Sequence, residues 1–302
     1  MASISDATHQ TDSNIDKAAL VYNQRELKKV YFKLPDALKP DTQGESWTKF
    51  KAEGPLRAYA TGNGTASVMV LGNSFGYRAV PHIFNLFQGR FREFRLYTRS
   101  SCTILGDVIE GCVDFDAAWR TVVEKQKPDI IFIIESRHRD VRKPVVGDVR
   151  NDSIVKRAQA NMDYISNHTK VLSMDYLYLV PNVTESIAHK LIMRINNNNH
   201  NFDDLKTNYE DYLTRHKWDI MRTDALWAPN IVRNRVQEQL CSELKGTCFF
   251  YHRKNLFSYY SDTGGHLTTE GEALLEAGYK NIIENFLSNR TVFAEKLATS
   301  TS

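Results

Sequence analysis

The run PDIIFIIES, residues 128–136, restricts the fold more than any other stretch. Ile130 to Ile134 form an unbroken apolar block with no polar alternation. A strand of this kind has to be covered on both faces, as in a parallel sheet with helices on each side. The runs ASVMVL (66–71), EFRLYTR (93–99) and KVLSMDYLYLVP (170–181) also read as strands, the last ended by Pro181. CFFYH (248–252) reads as a fifth, shorter strand. Helical spacing of apolar residues separates them. Tyr77, Val80, Phe84 and Phe87 mark a helix over 75–87. Phe115, Trp119, Val122 and Val123 mark one over 113–126. Further helices are expected over 153–167, near 183–195 and 203–215, over most of 223–244, and over 268–287. Strands alternating with helices at this spacing predict βαβ units and a doubly wound, mostly parallel, five-stranded α/β sheet.

Residues 1–60 read as an N-terminal extension. Its first 15 residues are polar enough to be disordered, and DKAALVYNQRELKKVYFKL (16–34) has helical character. Residues 61–290 hold the regular pattern, and 291–302 read as a flexible tail. The formal net charge of +3 comes without a dense Lys/Arg block, so nucleic acid is not an expected partner. NNNNHN (196–201) reads as a polar loop, and His200 within it as an exposed side chain rather than a metal ligand.

The start MASISDATHQTDSNIDK lacks the basic and apolar regions of a signal peptide. No apolar run approaches the roughly 20 residues that span a bilayer. The cysteines point the other way. Cys102 and Cys112 form one short-range pair, Cys241 and Cys248 another. Two local disulfides suit a secreted or lumenal protein, and four buried thiols a cytosolic one. N-x-S/T acceptors at Asn63, Asn151, Asn167, Asn182 and Asn289 lean toward the secretory route. An extracellular or lumenal fragment of a longer protein, or an incomplete gene model, would reconcile these signals.

Chemistry in such a sheet gathers at the carboxyl ends of the strands. Gly72-Asn73-Ser74 stands at the end of the first core strand, and Ser74 opens the following helix. A serine needs a base and an orienting carboxylate to act as a nucleophile. SYYSDTGGHLTTEG (258–271) supplies both, Asp262 and His266, in a Gly-containing loop before the last helix. The backbone N–H groups of Ser74 and Ser101 are candidate oxyanion donors. Asn73 and Arg137 are candidates for substrate binding, and Arg137 is equally suited to a structural ion pair with Glu135 or Asp140. The literal G-x-S-x-G of residues 72–76 also matches the α/β-hydrolase elbow. That family places its nucleophile after a mid-sheet strand and its acid well apart from the His, and neither feature is present here.

With VLGNSFG, the SSC turn, PDIIFIIESR, the second Cys pair and YYSDTGGHLTTEG, residues 60–288 resemble the SGNH (GDSL-like) hydrolase superfamily. The resemblance is strongest to the SGNH domain at the C-terminus of membrane acyltransferase-3 proteins, in its nematode-like form. It implies a three-layer α/β/α sandwich and a Ser74–His266–Asp262 triad that needs no cofactor or metal. It also implies O-acyl ester hydrolysis or transfer, with acetylated glycans or small esters as substrates. An acyltransferase-3 membrane domain, absent from this chain, is the implied partner. Three features depart from the family pattern. The Asp and His are one residue further apart than usual, the third-block Asn has no counterpart in IIESRHRD, and the preceding membrane region is missing. Loss of an oxyanion donor costs about 10²–10³ in kcat. The alternative is therefore a degenerate domain that binds acylated glycans without turnover.

Overall fold

The computed structural model describes residues 4–29, 33–48, 55–106, 111–136, 143–241, 244 and 246–295. The chain forms two compact units. The sheet unit comprises Lys33–Tyr178, Leu213–Val236 and Glu276–Ser302, and the second unit Met1–Phe32, Leu179–Tyr212 and Gln237–Leu275.

The sheet unit is an α/β/α sandwich built on seven strands: β1 (Lys39–Pro40), β2 (Pro55–Thr61), β3 (Ala66–Gly72), β4 (Phe91–Arg99), β5 (Ile130–Ile134), β6 (Val171–Asp175) and β7 (Ile231–Asn234). Their order is β1-β2-β4-β3-β5-β6-β7. The last five strands in that order are mutually parallel, while β1 and β2 add an antiparallel edge.

Because side chains alternate across a strand, each core strand feeds two cores. Met69, Leu71, Ile131, Ile133, Leu172 and Met174 face one side. There they meet Phe115, Trp119 and Val122 of the helix Val113–Gln126, and Val155, Ala158 and Met162 of the helix Ser153–Ser166. Phe94 and Phe132 face the opposite side. Phe84, Phe87 and Tyr279 cover them at ring separations of 5.1, 6.2 and 6.2 Å respectively. These rings come from the helix Ser74–Leu86 with its C-cap, and from the helix Thr269–Leu287. PDIIFIIES supplies the middle one of the five parallel strands, and all of β5 is buried.

Three sequence expectations are corrected. The fifth parallel strand is Ile231–Asn234, inside a stretch read as helical. Its four residues are too few to show a period of two against the flanking helical pattern. CFFYH instead makes small antiparallel pairings in the second unit. Thr247–Phe249 pairs with Lys206–Asn208, and Tyr251–His252 with Phe257–Ser258. The fourth strand ends at Asp175, not near Pro181.

Two further findings concern the residues read as an extension. The helix Ile4–Lys28 starts earlier than its apolar pattern does. Its later turns are anchored in the second unit, and an anchored helix extends at the gain of one backbone bond per residue. Tyr22 stacks on Phe257 at 4.2 Å, while Asn23 donates to the Leu256 carbonyl and accepts from the Ser258 N–H, both at 2.9 Å. Residues 39–61 supply β1 and β2. Asp41 there meets the buried Arg95 guanidinium of β4 at 2.6 Å.

Both cysteine pairs are disulfides, Cys102–Cys112 in the sheet unit and Cys241–Cys248 in the second unit. Among the described residues no helix is long and apolar enough to cross a membrane.

Candidate active site

Ser74 belongs to the sheet unit, Asp262 and His266 to the second unit. Each half is built by its own local rules.

In the sheet unit, β3 ends at Gly72, and Ser74 is the first residue of the next helix, half-buried. Gly72 has φ of +144°, and an added Cβ would run into the Ile134 carbonyl at the end of β5. Only glycine lets the two strand ends approach so closely. Asn73 caps the helix: its Oδ1 accepts from the Phe75 N–H at 3.2 Å. Its Nδ2 donates to the Ser136 carbonyl at 2.8 Å. Asn73 was expected at the substrate. It is 3% exposed, and its amide is engaged in binding the β3 turn to the loop after β5. The helix N-terminus leaves Ser74 in a field that favours developing negative charge.

Ser101 follows β4, and β4 runs parallel to β3 with Gly72 opposite Thr98, so the two turns leave the sheet at the same edge. Ser101 has φ of +64°. This backbone region favours glycine. The neighbouring loop is closed by Cys102–Cys112 and by Glu135, the first residue beyond β5. The buried Glu135 carboxylate accepts the Ile104 N–H at 2.6 Å and the Leu105 N–H at 2.9 Å. Asn161 donates to the Ile104 carbonyl at 2.6 Å and accepts from Arg120. Arg137, the other expected substrate contact, lies outside the described residues.

In the second unit, His266 Nδ1 and Asp262 Oδ2 are 2.7 Å apart. Asp262 Oδ1 accepts the Gly264 N–H at 2.9 Å and the His266 N–H at 3.3 Å. The longer D-x-x-x-H spacing therefore closes its Asp–His bond through a compact turn. The base of the turn is the Ser261 N–H to His266 carbonyl bond at 2.9 Å. Gly265 has φ of +85°, and an added Cβ would approach Val180 Cγ2 to 2.8 Å. Thr268 caps the following helix by accepting the Gly271 N–H at 3.2 Å. With a carboxylate on Nδ1, the neutral imidazole holds its proton there and presents Nε2 as the basic nitrogen. That is the state a general base needs.

Residues 40–281 match the family model described as SGNH domain (fused to AT3 domains). The chain belongs to this family. The SGNH domain also shares its fold with a solved structure, the periplasmic domain of a Salmonella ser. Paratyphi A lipopolysaccharide acetyltransferase. The TM-score is 0.51 at 13% identity, covering 74% of this chain and 85% of that one. No curated protein sequence matches the chain.

Two carboxylates at strand ends were not singled out as site residues. Glu135 organises the turn after β4, and its sequence signal is its place as the first polar residue after an apolar strand. Asp175 ends β6, 4% exposed. It accepts from Tyr178 and Tyr279 hydroxyls at 2.6 and 2.7 Å and from the Asn234 amide at 2.9 Å. Burial pushes its carboxyl up to about 6, while these three donors pull the other way. Tyr178 packs against Phe75, the neighbour of Ser74, with ring centroids 4.6 Å apart.

Proposed function

We propose that this SGNH domain hydrolyses or transfers O-acyl groups with Ser74 as nucleophile, His266 as general base and Asp262 as its orienting carboxylate. The observation that carries the reading is the 2.7 Å Asp262–His266 bond in a member of an ester-processing family. Ser74 Oγ attacks the acyl carbonyl carbon while His266 Nε2 takes the hydroxyl proton. Asp262 stabilises the imidazolium that forms. The tetrahedral oxyanion is received by the Ser74 and Ser101 backbone N–H groups. Collapse breaks the ester C–O bond, and His266 returns its proton to the departing alcohol. Water, or an acceptor hydroxyl, then attacks the acyl-enzyme with His266 again taking the proton, and Ser74 is regenerated.

An O-acetylated sugar is the proposed substrate, by analogy with the lipopolysaccharide acetyltransferase of like fold. An acyltransferase-3 membrane domain is the proposed partner, from the fusion named in the family description. The two disulfides, and the exposure of Asn63, Asn151, Asn167, Asn182 and Asn289, support an extracellular or lumenal setting.

The test compares Ser74→Ala with the parent on p-nitrophenyl acetate and on O-acetylated glycans. A loss of about 10⁴-fold or more is expected, and equal rates would reject the reading. One observation favours a second reading, glycan binding without turnover: β5 is followed by the acceptor-only carboxylate of Glu135 rather than a side-chain donor. Failure of a fluorophosphonate probe to label Ser74, together with retained glycan binding, would favour that reading.

A further inference from the structure

The polar loop NNNNHN is not used by the acyl chemistry, yet it is held in a defined shape. Arg194 forms a forked pair with Asp204 at 2.5 and 2.7 Å and donates to the Asn201 carbonyl at 2.6 Å. Asn199 and Asn201 each accept the backbone N–H two residues on, at 3.0 and 3.1 Å. The loop so fixed walls a groove of about 1220 Å³ within the second unit.

The groove has three kinds of surface. Its floor is apolar, with Ile195 and Leu256 both buried. Beside them the rings of Phe202 and Tyr251 pack at 5.5 Å, and Phe202 keeps part of its surface exposed. Asn196 and Asn198 add exposed amides. Lys17, Arg253 and Lys254 stand on the rim, exposed. None of the three has a carboxylate partner among the described residues; Arg253 lies over the Phe249 ring at 4.8 Å. Among the described residues Asp16 is the one carboxylate in the lining, and it is engaged by His200 at 3.1 Å. Among the described residues, three cations thus face a groove whose one anion is already paired.

We propose that this groove binds an acidic saccharide, an oligomer carrying carboxylate or sulfate groups, at a site separate from the acyl chemistry. An apolar ring face suits the C–H face of a sugar, side-chain amides suit its hydroxyls, and the rim cations supply the charge. The volume exceeds the roughly 300–1,000 Å³ typical of a pocket for one drug-sized ligand, which leaves room for several sugar units. Nucleic acid fits less well, because the whole chain carries only +3 and the rim supplies three cations rather than an extended basic track.

The test is fluorescence anisotropy on the full chain carrying Ser74→Ala, with labelled tetragalacturonate and a labelled heparin-derived tetrasaccharide as separate probes. Binding of either is expected, and which one binds tells carboxylate from sulfate. The Lys17→Ser/Arg253→Ser/Lys254→Ser variant should weaken it at least tenfold with an unchanged melting temperature. Phe202→Ala should weaken it about fivefold. In an otherwise unmodified chain, the triple variant should hydrolyse p-nitrophenyl acetate like the parent, so this proposal and the acyl chemistry stand or fall separately. The proposal is overturned if neither probe binds, if neutral cellotetraose or labelled octaglutamate binds as tightly, or if the triple variant binds like the parent.

Discussion

The two halves of the candidate site are held in opposite ways. The Ser74 turn depends on distant chain. Gly72 lies against the Ile134 carbonyl, and Asn73 reaches the Ser136 carbonyl, 63 residues away. The Asp262–His266 turn contains several bonds that span no more than five residues, and both side chains remain half-exposed. The proposed nucleophile is thus tied to the stability of the sheet, and the proposed base stands on a local turn. Substitutions at Gly72 and Asn73 should therefore act on folding, and those at Asp262 and His266 on chemistry.

Asp262→Asn gives the strongest contrast. We expect kcat to fall about 10⁴-fold, as when a triad carboxylate loses its charge. The unfolding free energy should change by less than about 1 kcal/mol, as for surface substitutions that leave the shape intact. A comparable loss of stability would show that the turn is not autonomous. Gly72→Ala is the converse. A Cβ in the path of the Ile134 carbonyl should cost more than about 4 kcal/mol in denaturant unfolding, the range reserved for severe steric conflict. A cost below 1 kcal/mol would remove the argument that strand register sets the elbow.

Asp175 sharpens the comparison from the carboxylate side, since it is buried where Asp262 is half-exposed. Its folded value of about 6 lies above the ordinary 3.8, so the fold binds a proton that the unfolded chain has already lost. The ionisation cost is absent below pH 4, grows between 4 and 6, and is complete above 6. The stability of the parent relative to Asp175→Asn should therefore fall by about 3 kcal/mol from pH 4 to 7, at about 1.4 kcal/mol per pH unit. A flat difference would mean that the three donors fully offset burial. The smallest effect is expected at Ser101. Ser101→Gly should raise stability by about 1 kcal/mol by relieving its left-handed backbone, measured by melting temperature. Destabilisation would show that the hydroxyl contributes more than the strain costs.

Much of the fold was legible because its signals are local and strong. The block Ile130–Ile134 marked a strand covered on both faces, and apolar spacing located the helices that cover it. The strand Ile231–Asn234 was hidden because four residues cannot display a period, and its identity comes from pairing with β6. CFFYH has the composition of a strand but pairs with Lys206–Asn208 and Phe257–Ser258, partners that spacing does not reveal.

Within the site, Ser74, Asp262 and His266 were visible as residue types at strand ends and before the last helix. The roles of their neighbours were not. Asn73 reads as a polar group near a substrate, and only burial shows it to be a cap and a clamp. Glu135 and Asp175 read as ordinary acids until the fold supplies the N–H and hydroxyl donors that surround them.

The sequence by itself determined the α/β class and placed candidate residues at the strand ends, because periodicity and turn composition act over a few residues. Tertiary structure decided the strand order, the closeness of Gly72 to β5, the bridging of the two cysteine pairs and the surroundings of each buried carboxylate. These depend on which distant segments meet, and hydrogen bonds and desolvation act only between groups that have met.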